Sequence, residues 1–256
     1  MTVILYIIGS VALVSLVSFA GVFALSLSEN RLRKVLFVLV SLAIGALLGD
    51  AFLHLIPESF KSIENPPIVA FLIIGGMLLF FTLEKLLRWH RHHEELGVSD
   101  DEGMKDSKHI GRLILVGDGL HNFIDGIIIG VSYLVSIELG IATTLAIILH
   151  EIPQEIGDFG VLLHAGYRRK TALFFNFFSA LGAFGGAILV IILGTIPEQF
   201  IHGILPFAAG VFIYIAGSDL VPELHKNVGT KLKITLYEVI GISIGVLAMY
   251  ALLLFE

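Results

Sequence analysis

The segments DGLHNFIDG (118–126) and HEIPQEIGD (150–158) each sit inside a long apolar run. Asp118, Asp125, Glu151, Glu155 and Asp158 supply five carboxylates, and His121 and His150 supply two imidazoles. No Lys or Arg occurs between Arg112 and Arg168. The flanking runs are apolar on every face and long enough for a bilayer-spanning helix, which needs about 20 such residues. Barrel strands would instead alternate polar and apolar over ~10 residues. At bilayer depth each unpaired carboxylate costs about 3 kcal/mol, so five cost on the order of 15 kcal/mol. With no side-chain cation nearby, either protons or a bound cation must neutralise them.

The spacing favours a metal. His121 and Asp125 are four apart and share a helix face, as do His150 with Gln154 and Glu151 with Glu155. Pro153 removes a backbone hydrogen bond and is expected to loosen its helix, freeing a carbonyl near residue 149. His121 and His150 each lie about 11 residues into their spans, or ~16 Å at 1.5 Å per residue. That is near the middle of a ~30 Å hydrocarbon core, so two antiparallel helices would bring their ligands together there. Imidazole with carboxylate suits zinc, with iron, manganese or cobalt as alternatives. The absence of thiolate disfavours Cu(I). The bland reading of the same residues is a hydrogen-bonded network that packs helices.

Working outward, 56 % of the 256 residues are hydrophobic and 15 % are charged, against about 25 % charged in soluble domains. The net charge of −6 argues against a nucleic-acid partner, and zero cysteines excludes a disulfide scaffold. Eight spans are expected, at 3–27, 35–57, 67–88, 110–134, 139–164, 171–195, 203–224 and 233–255, in one polytopic domain covering 1–256. The first is expected to be a retained span rather than a signal peptide. In this arrangement fifteen of the 16 Lys and Arg residues fall on one side, and Lys61 alone on the other. The positive-inside rule makes the rich side cytoplasmic and puts both termini outside. Little extramembrane mass points to a bacterial inner membrane.

Further ionisable positions form possible approach and release routes. Asp50, His54 and Glu58 recur every four residues on the second span; Asp219 and Glu223 lie near the inner end of the seventh. Asp118 and Asp158 extend the central motifs, and Asn176 with Ser179 offers either supporting donors or helix-to-helix contacts. Residues 89–109 are expected to form a cytoplasmic loop in which His90, His92, His93 and His109 either capture metal or sit in a solvated acidic linker. Gly126, Gly130, Gly182 and Gly186 have the small-residue spacing that allows close helix approach. HLIPE (54–58) and DLVPE (219–223) end spans of opposite direction, which suggests an inverted repeat of helices 1–3 and 6–8 around a central pair.

Taken together, HNFIDG (121–126), HEIPQEIGD (150–158), the GDG at 117–119, GDAFLHLIPE (49–58), LFFNFFSALGA (173–183) and FIYIAGSDLVPELH (212–225) resemble the ZIP (Zrt-, Irt-like) metal transporters, of the type with an HExPxExGD signature. The resemblance implies an all-α membrane protein of eight helices arranged 3+2+3, with a variable third loop and uptake of divalent metal toward the cytoplasm. It implies a binuclear site. His121, Asp125, His150 and Gln154 correspond to one metal position, Asn122 and Glu151 to its neighbour, and Glu155 and Asp158 complete the motif. Where the family often has His this chain has Gln154, a poorer zinc ligand than imidazole, which bears on selectivity.

The expected function is therefore uptake of a divalent transition metal, zinc foremost, by alternating access, with the metal as transported substrate and no catalytic cofactor. Partners are the metal ions and the lipid bilayer, with a homodimer as one possible assembly and the oligomeric state left open by the sequence. An intramembrane zinc hydrolase is the enzymatic alternative, since His150-Glu151-x-x-Gln154 is one residue from HExxH. A metal-sensing receptor is another. An organic-anion transporter is disfavoured because no intramembrane cation would meet the anion.

Overall fold

The computed structural model describes residues 2–95, 103–193, 198–226 and 232–255, and every regular element among them is helical. The first rod is α1 (Thr2–Val17) and α2 (Ala20–Ala24), interrupted at residues 18–19. The second is α3 (Glu29–Gly49), a π-helical turn at Asp50–Leu55, and α4 (Ile56–Ser62). Then come α5 (Pro66–Glu95), α6 (Gly103–Val135) and α7 (Ile137–His164). The sixth rod is α8 (Arg169–Ala180) and α9 (Gly182–Ile192), again interrupted midway. The seventh is α10 (Glu198–Tyr214), a π-helical turn at Ile215–Leu220, and α11 (Val221–Lys226); α12 (Leu232–Leu252) is the last.

Seven of these rods are long and apolar enough to cross a membrane: Thr2–Ala24, Asn30–Ser62, Pro66–Leu86, Ile114–Val135, Arg169–Ile192, Ile201–His225 and Ile234–Leu252. The remaining long helix, α7, has 28 residues, but its second half carries His150, Glu151, Gln154, Glu155 and Asp158. It is screened from its surroundings by α1, α2, α3, α6 and α8, which all pack on it. The polar helix is thus enclosed by apolar ones, as the cost of exposing carboxylates to lipid requires. The chain is a multi-pass integral membrane protein.

Glycines set the tightest contacts. A Cβ at Gly126 would lie 2.0 Å from the Ala183 carbonyl oxygen, and one at Gly186 2.0 Å from that of Phe123, so α6 and α9 meet backbone to backbone. Gly76 and Gly210 do the same for α5 and α10, each 2.0 Å from a facing carbonyl, and Gly45 with Gly245 for α3 and α12. Van der Waals contact drives such packing in lipid, where no hydrophobic force separates helix from tail.

Each π-helical turn is followed by a proline at the second position of the next helix, Pro57 and Pro222. A proline removes the donor to the carbonyl four residues back and its ring crowds that carbonyl. Those carbonyls belong to Leu53 and Ser218, inside the two widened turns. By contrast α7 runs through Pro153 without interruption, although the proline has no N–H to offer the Leu149 carbonyl. Helix also continues into the stretch expected as a loop, since α5 reaches Glu95 and α6 begins at Gly103. The side chains of His90, His92, His93 and His109 lie outside the described ones.

Candidate metal centre

α6 and α7 run side by side, and four side chains from them converge on one point. His121 Nε2 and His150 Nε2 are 3.2 Å apart. An Asp125 carboxylate oxygen lies 3.6 Å from His121 and 3.4 Å from His150. A Glu151 oxygen lies 3.4 Å and 3.5 Å from the same two nitrogens. Asp125, His150 and Glu151 are fully buried, and His121 is nearly so. His150 Nδ1 is 3.2 Å from the Ala146 carbonyl oxygen. Donating there leaves the Nε2 lone pair turned into the cluster. Two imidazole nitrogens facing each other at this distance either share a hydrogen bond or together offer their lone pairs to a cation.

A second group shares a member with the first. Asp118, Glu151 and Glu155 bring one carboxylate oxygen each within 4.8 Å of the others. Glu151 therefore stands in both groups. Neither of its oxygens accepts a hydrogen bond, and the same holds for both Asp125 oxygens, Glu155 Oε1 and Asn122 Oδ1. Buried polar atoms in native proteins are nearly always satisfied. A converging set of unsatisfied oxygens is what a cation site offers when viewed without its ion.

The remaining oxygens are held in place by the neighbouring helices. Asn122 Nδ2 donates to Asp118 Oδ1 at 2.9 Å. From α8, Ser179 Oγ donates to Asp118 Oδ2 at 2.5 Å, and Asn176 Nδ2 donates to Glu155 Oε2. Asn176 Nδ2 also lies 3.3 Å from the carbonyl oxygen of buried Ser18, at the interruption between α1 and α2. The break in the first rod thus ties it to the carboxylate support. Asn176 and Ser179 thus each donate to a buried carboxylate across a helix contact.

Aromatic rings close the cluster. Phe80 of α5 meets His121 edge-on at 5.3 Å, and Phe212 of α10 meets His150 at 6.3 Å. Beyond Phe80, the Tyr214 hydroxyl donates to Glu84 at 2.5 Å. Phe80 and Glu84 lie outside the quoted motifs, and Phe212 and Tyr214 lie inside one without any sign of their partners, because these roles depend on which helices become neighbours. Asn176 and Ser179 do carry a sign: they are three apart on one helix face.

Asp50 and His54 are buried in the first π-helical turn, with His54 Nδ1 3.3 Å from Asp50. Glu58 is half-buried and pairs with Lys61 at 2.9 Å. Gln154 is half-buried one turn along α7 from His150; Asp158 follows, within electrostatic reach of Asp118 and Glu155. Asp219 is exposed and Glu223 half-buried, at the far end of the seventh rod.

A family model described as ZIP Zinc transporter matches residues 1–109 and 90–253. The chain is 32 % identical to a protein of Caenorhabditis briggsae named zinc transporter zipt-7.1, over 86 % of this chain and 71 % of that one. It is 33 % identical to the mouse zinc transporter ZIP13, over 88 % and 71 %, and 29 % identical to the human zinc transporter SLC39A7, over 95 % and 70 %. Across such relatives the chain spans from 58 % to 71 % of their lengths.

Proposed function

Because the chain belongs to the ZIP zinc transporter family, we propose that it carries zinc into the cytoplasm through the paired clusters on α6 and α7. The observation that carries this reading is the first cluster's shape. A tetrahedral zinc with ligands at about 2.0–2.1 Å has ligand-to-ligand edges of about 3.3–3.4 Å. The five contacts that involve the His121 and His150 nitrogens run from 3.2 to 3.6 Å, and all four ligand atoms lie within 4.8 Å of one another. Two imidazoles and two carboxylates also leave such a site electrically neutral around a divalent ion. Asp118, Glu151 and Glu155 form an oxygen-only neighbour, with Asn122 Oδ1 as a further acceptor. Glu151 bridges the two, so an ion can pass between them without leaving its ligands all at once.

In this proposal a hydrated ion approaches from outside past Glu58, His54 and Asp50. It exchanges water for ligands at the midplane and leaves past Asp158 toward the inner ends, where Asp219 and Glu223 lie. Gln154 lies one turn from His150 and tunes the choice between zinc and iron, manganese, cobalt or cadmium.

The helix pairings support an inverted 3+2+3 repeat. Exchanging rods 1 with 6, 2 with 7, 3 with 8 and 4 with 5 turns the α3–α12 pair into α10–α5, and the α6–α9 pair into α7–α1. All four pairs are packed. The same exchange matches the interrupted first and sixth rods and the π-helical turns of the second and seventh. Such repeats move against a central element during alternating access.

The hydrolase reading loses its basis, since the family consists of transporters. The test is zinc uptake by the full chain in proteoliposomes, with competing iron, manganese, cobalt and cadmium. Zinc accumulation blocked by His121→Ala with Glu151→Ala is expected. Wild-type uptake in that double variant would contradict the proposal.

A further inference from the structure

A cleft of about 640 Å³ opens where α6, α7 and α8 leave the membrane-spanning segments. Its lining residues include the cationic Arg112 and Arg168, the hydroxyl-bearing Tyr167 and Thr171, and the apolar Leu115 and Phe175. The sequence accounts for its shape. α7 ends in a turn in which Gly166 adopts φ 83°, Tyr167 N–H donates to the Leu162 carbonyl at 3.1 Å, and Gly166 N–H to that of Leu163 at 3.0 Å. This is the Schellman arrangement, and glycine suits its left-handed position. It sends Tyr167 back over the bundle, where its ring fits against Gly111 because a Cβ there would come within 2.7 Å. Phe175 holds the other side of the ring edge-on at 5.8 Å. The chain then extends through Arg168 into α8, whose first turn has no side-chain cap.

The level of the cleft is as informative as its lining. Arg112 precedes the span Ile114–Val135 by two residues, and Arg168 immediately precedes the span Arg169–Ile192. One end of the cleft therefore meets the headgroup layer. On the same helix as Phe175, Phe174 and Phe178 are 61 % and 65 % exposed and face the hydrocarbon. Two guanidiniums and a hydroxyl suit a phosphate, which Arg binds through paired N–H donors. The aromatic wall beside them suits the start of an acyl chain.

We propose that this cleft binds the phosphate of an anionic phospholipid headgroup. The inference rests on the membrane-spanning fold and does not depend on the transported metal. The test uses purified full-length protein in neutral detergent, with native mass spectrometry of lipid retention. Phosphatidylglycerol is compared with phosphatidylcholine of identical chains, with and without millimolar inorganic phosphate. Wild type is expected to retain phosphatidylglycerol on the order of tenfold better than phosphatidylcholine. Arg112→Ala with Arg168→Ala should abolish that preference, and Arg112→Lys with Arg168→Lys should keep part of it. Arg31→Ala with Lys34→Ala, which removes the same charge elsewhere, should leave it intact. Equal loss in the two alanine pairs would overturn the proposal, because general charge attraction would then suffice. So would an absence of preference in wild type. Displacement of the lipid by inorganic phosphate would overturn the lipid assignment in favour of a soluble phosphate. An unchanged thermal midpoint in the alanine variants shows that they are folded.

Discussion

Glu151 is the residue on which the two clusters depend. Its oxygens face both imidazoles on one side and Asp118 with Glu155 on the other. Glu151→Gln keeps the shape and removes the charge, so zinc uptake should fall on the order of a hundredfold or more, measured in proteoliposomes. Asn176→Ala is a gentler lesion. It takes the donor from Glu155 without touching a candidate ligand of the first cluster, and zinc affinity should fall about ten- to a hundredfold. Acid should act in the same direction, because imidazole and carboxylate bind metal only when deprotonated. Uptake is therefore expected to decline as the external pH is lowered from 7.5 toward the ordinary imidazole value of about 6.5 and below. A rise across that interval would contradict the ligand assignment. At this scale much was legible in the sequence. The i, i+4 pair His121 and Asp125 and the charges stranded without Lys or Arg already marked α6 and α7. The grouping of Asp118 with Glu151 and Glu155 was not legible, since it depends on the rotation of one helix against the other.

Among the elements, the tight helix pairs and the π-helical turns carry the argument. Gly186→Leu would drive a side chain into the Phe123 carbonyl, which a Cβ alone approaches to 2.0 Å. Overpacking of this kind costs about 1–3 kcal/mol or more, so the thermal midpoint should drop measurably in detergent. Pro57→Ala restores a donor for the Leu53 carbonyl and permits a regular α-helix. That would rotate Asp50 and His54 away from their present facing, and uptake should fall while the thermal midpoint holds or rises. The sequence indicated small-residue contacts, and Gly126, Gly182 and Gly186 are used in that way. It carried no readable signal for the π-helical turns, because a proline alone does not say whether a helix bends, breaks or widens. Pro153 lies within an unbroken α7, whereas Pro57 and Pro222 follow widened turns. The interruptions near residue 18 and at Leu181 likewise depend on tertiary partners, such as Asn176 reaching the Ser18 carbonyl.

For the whole molecule, apolar helices surround one polar helix, and the eight-span reading of the sequence puts the basic residues on one side. Fifteen of 16 Lys and Arg residues lie on that side of the eight-span arrangement. The chain has no cysteine, so a single introduced thiol reports its own location. In right-side-out vesicles, Asn65→Cys should react with a membrane-impermeant maleimide and Arg169→Cys should not; the reverse would invert the proposed direction of transport. The low charge content first reads as ordinary membrane composition. Its distribution separates two functions, with cations at the surface and carboxylates in the interior. The most direct measurement is equilibrium zinc binding to the purified full chain, comparing wild type, Glu151→Gln and Glu58→Gln. Tight zinc binding that survives Glu58→Gln and collapses in Glu151→Gln is the predicted result. Equal zinc affinity in wild type and Glu151→Gln would contradict it.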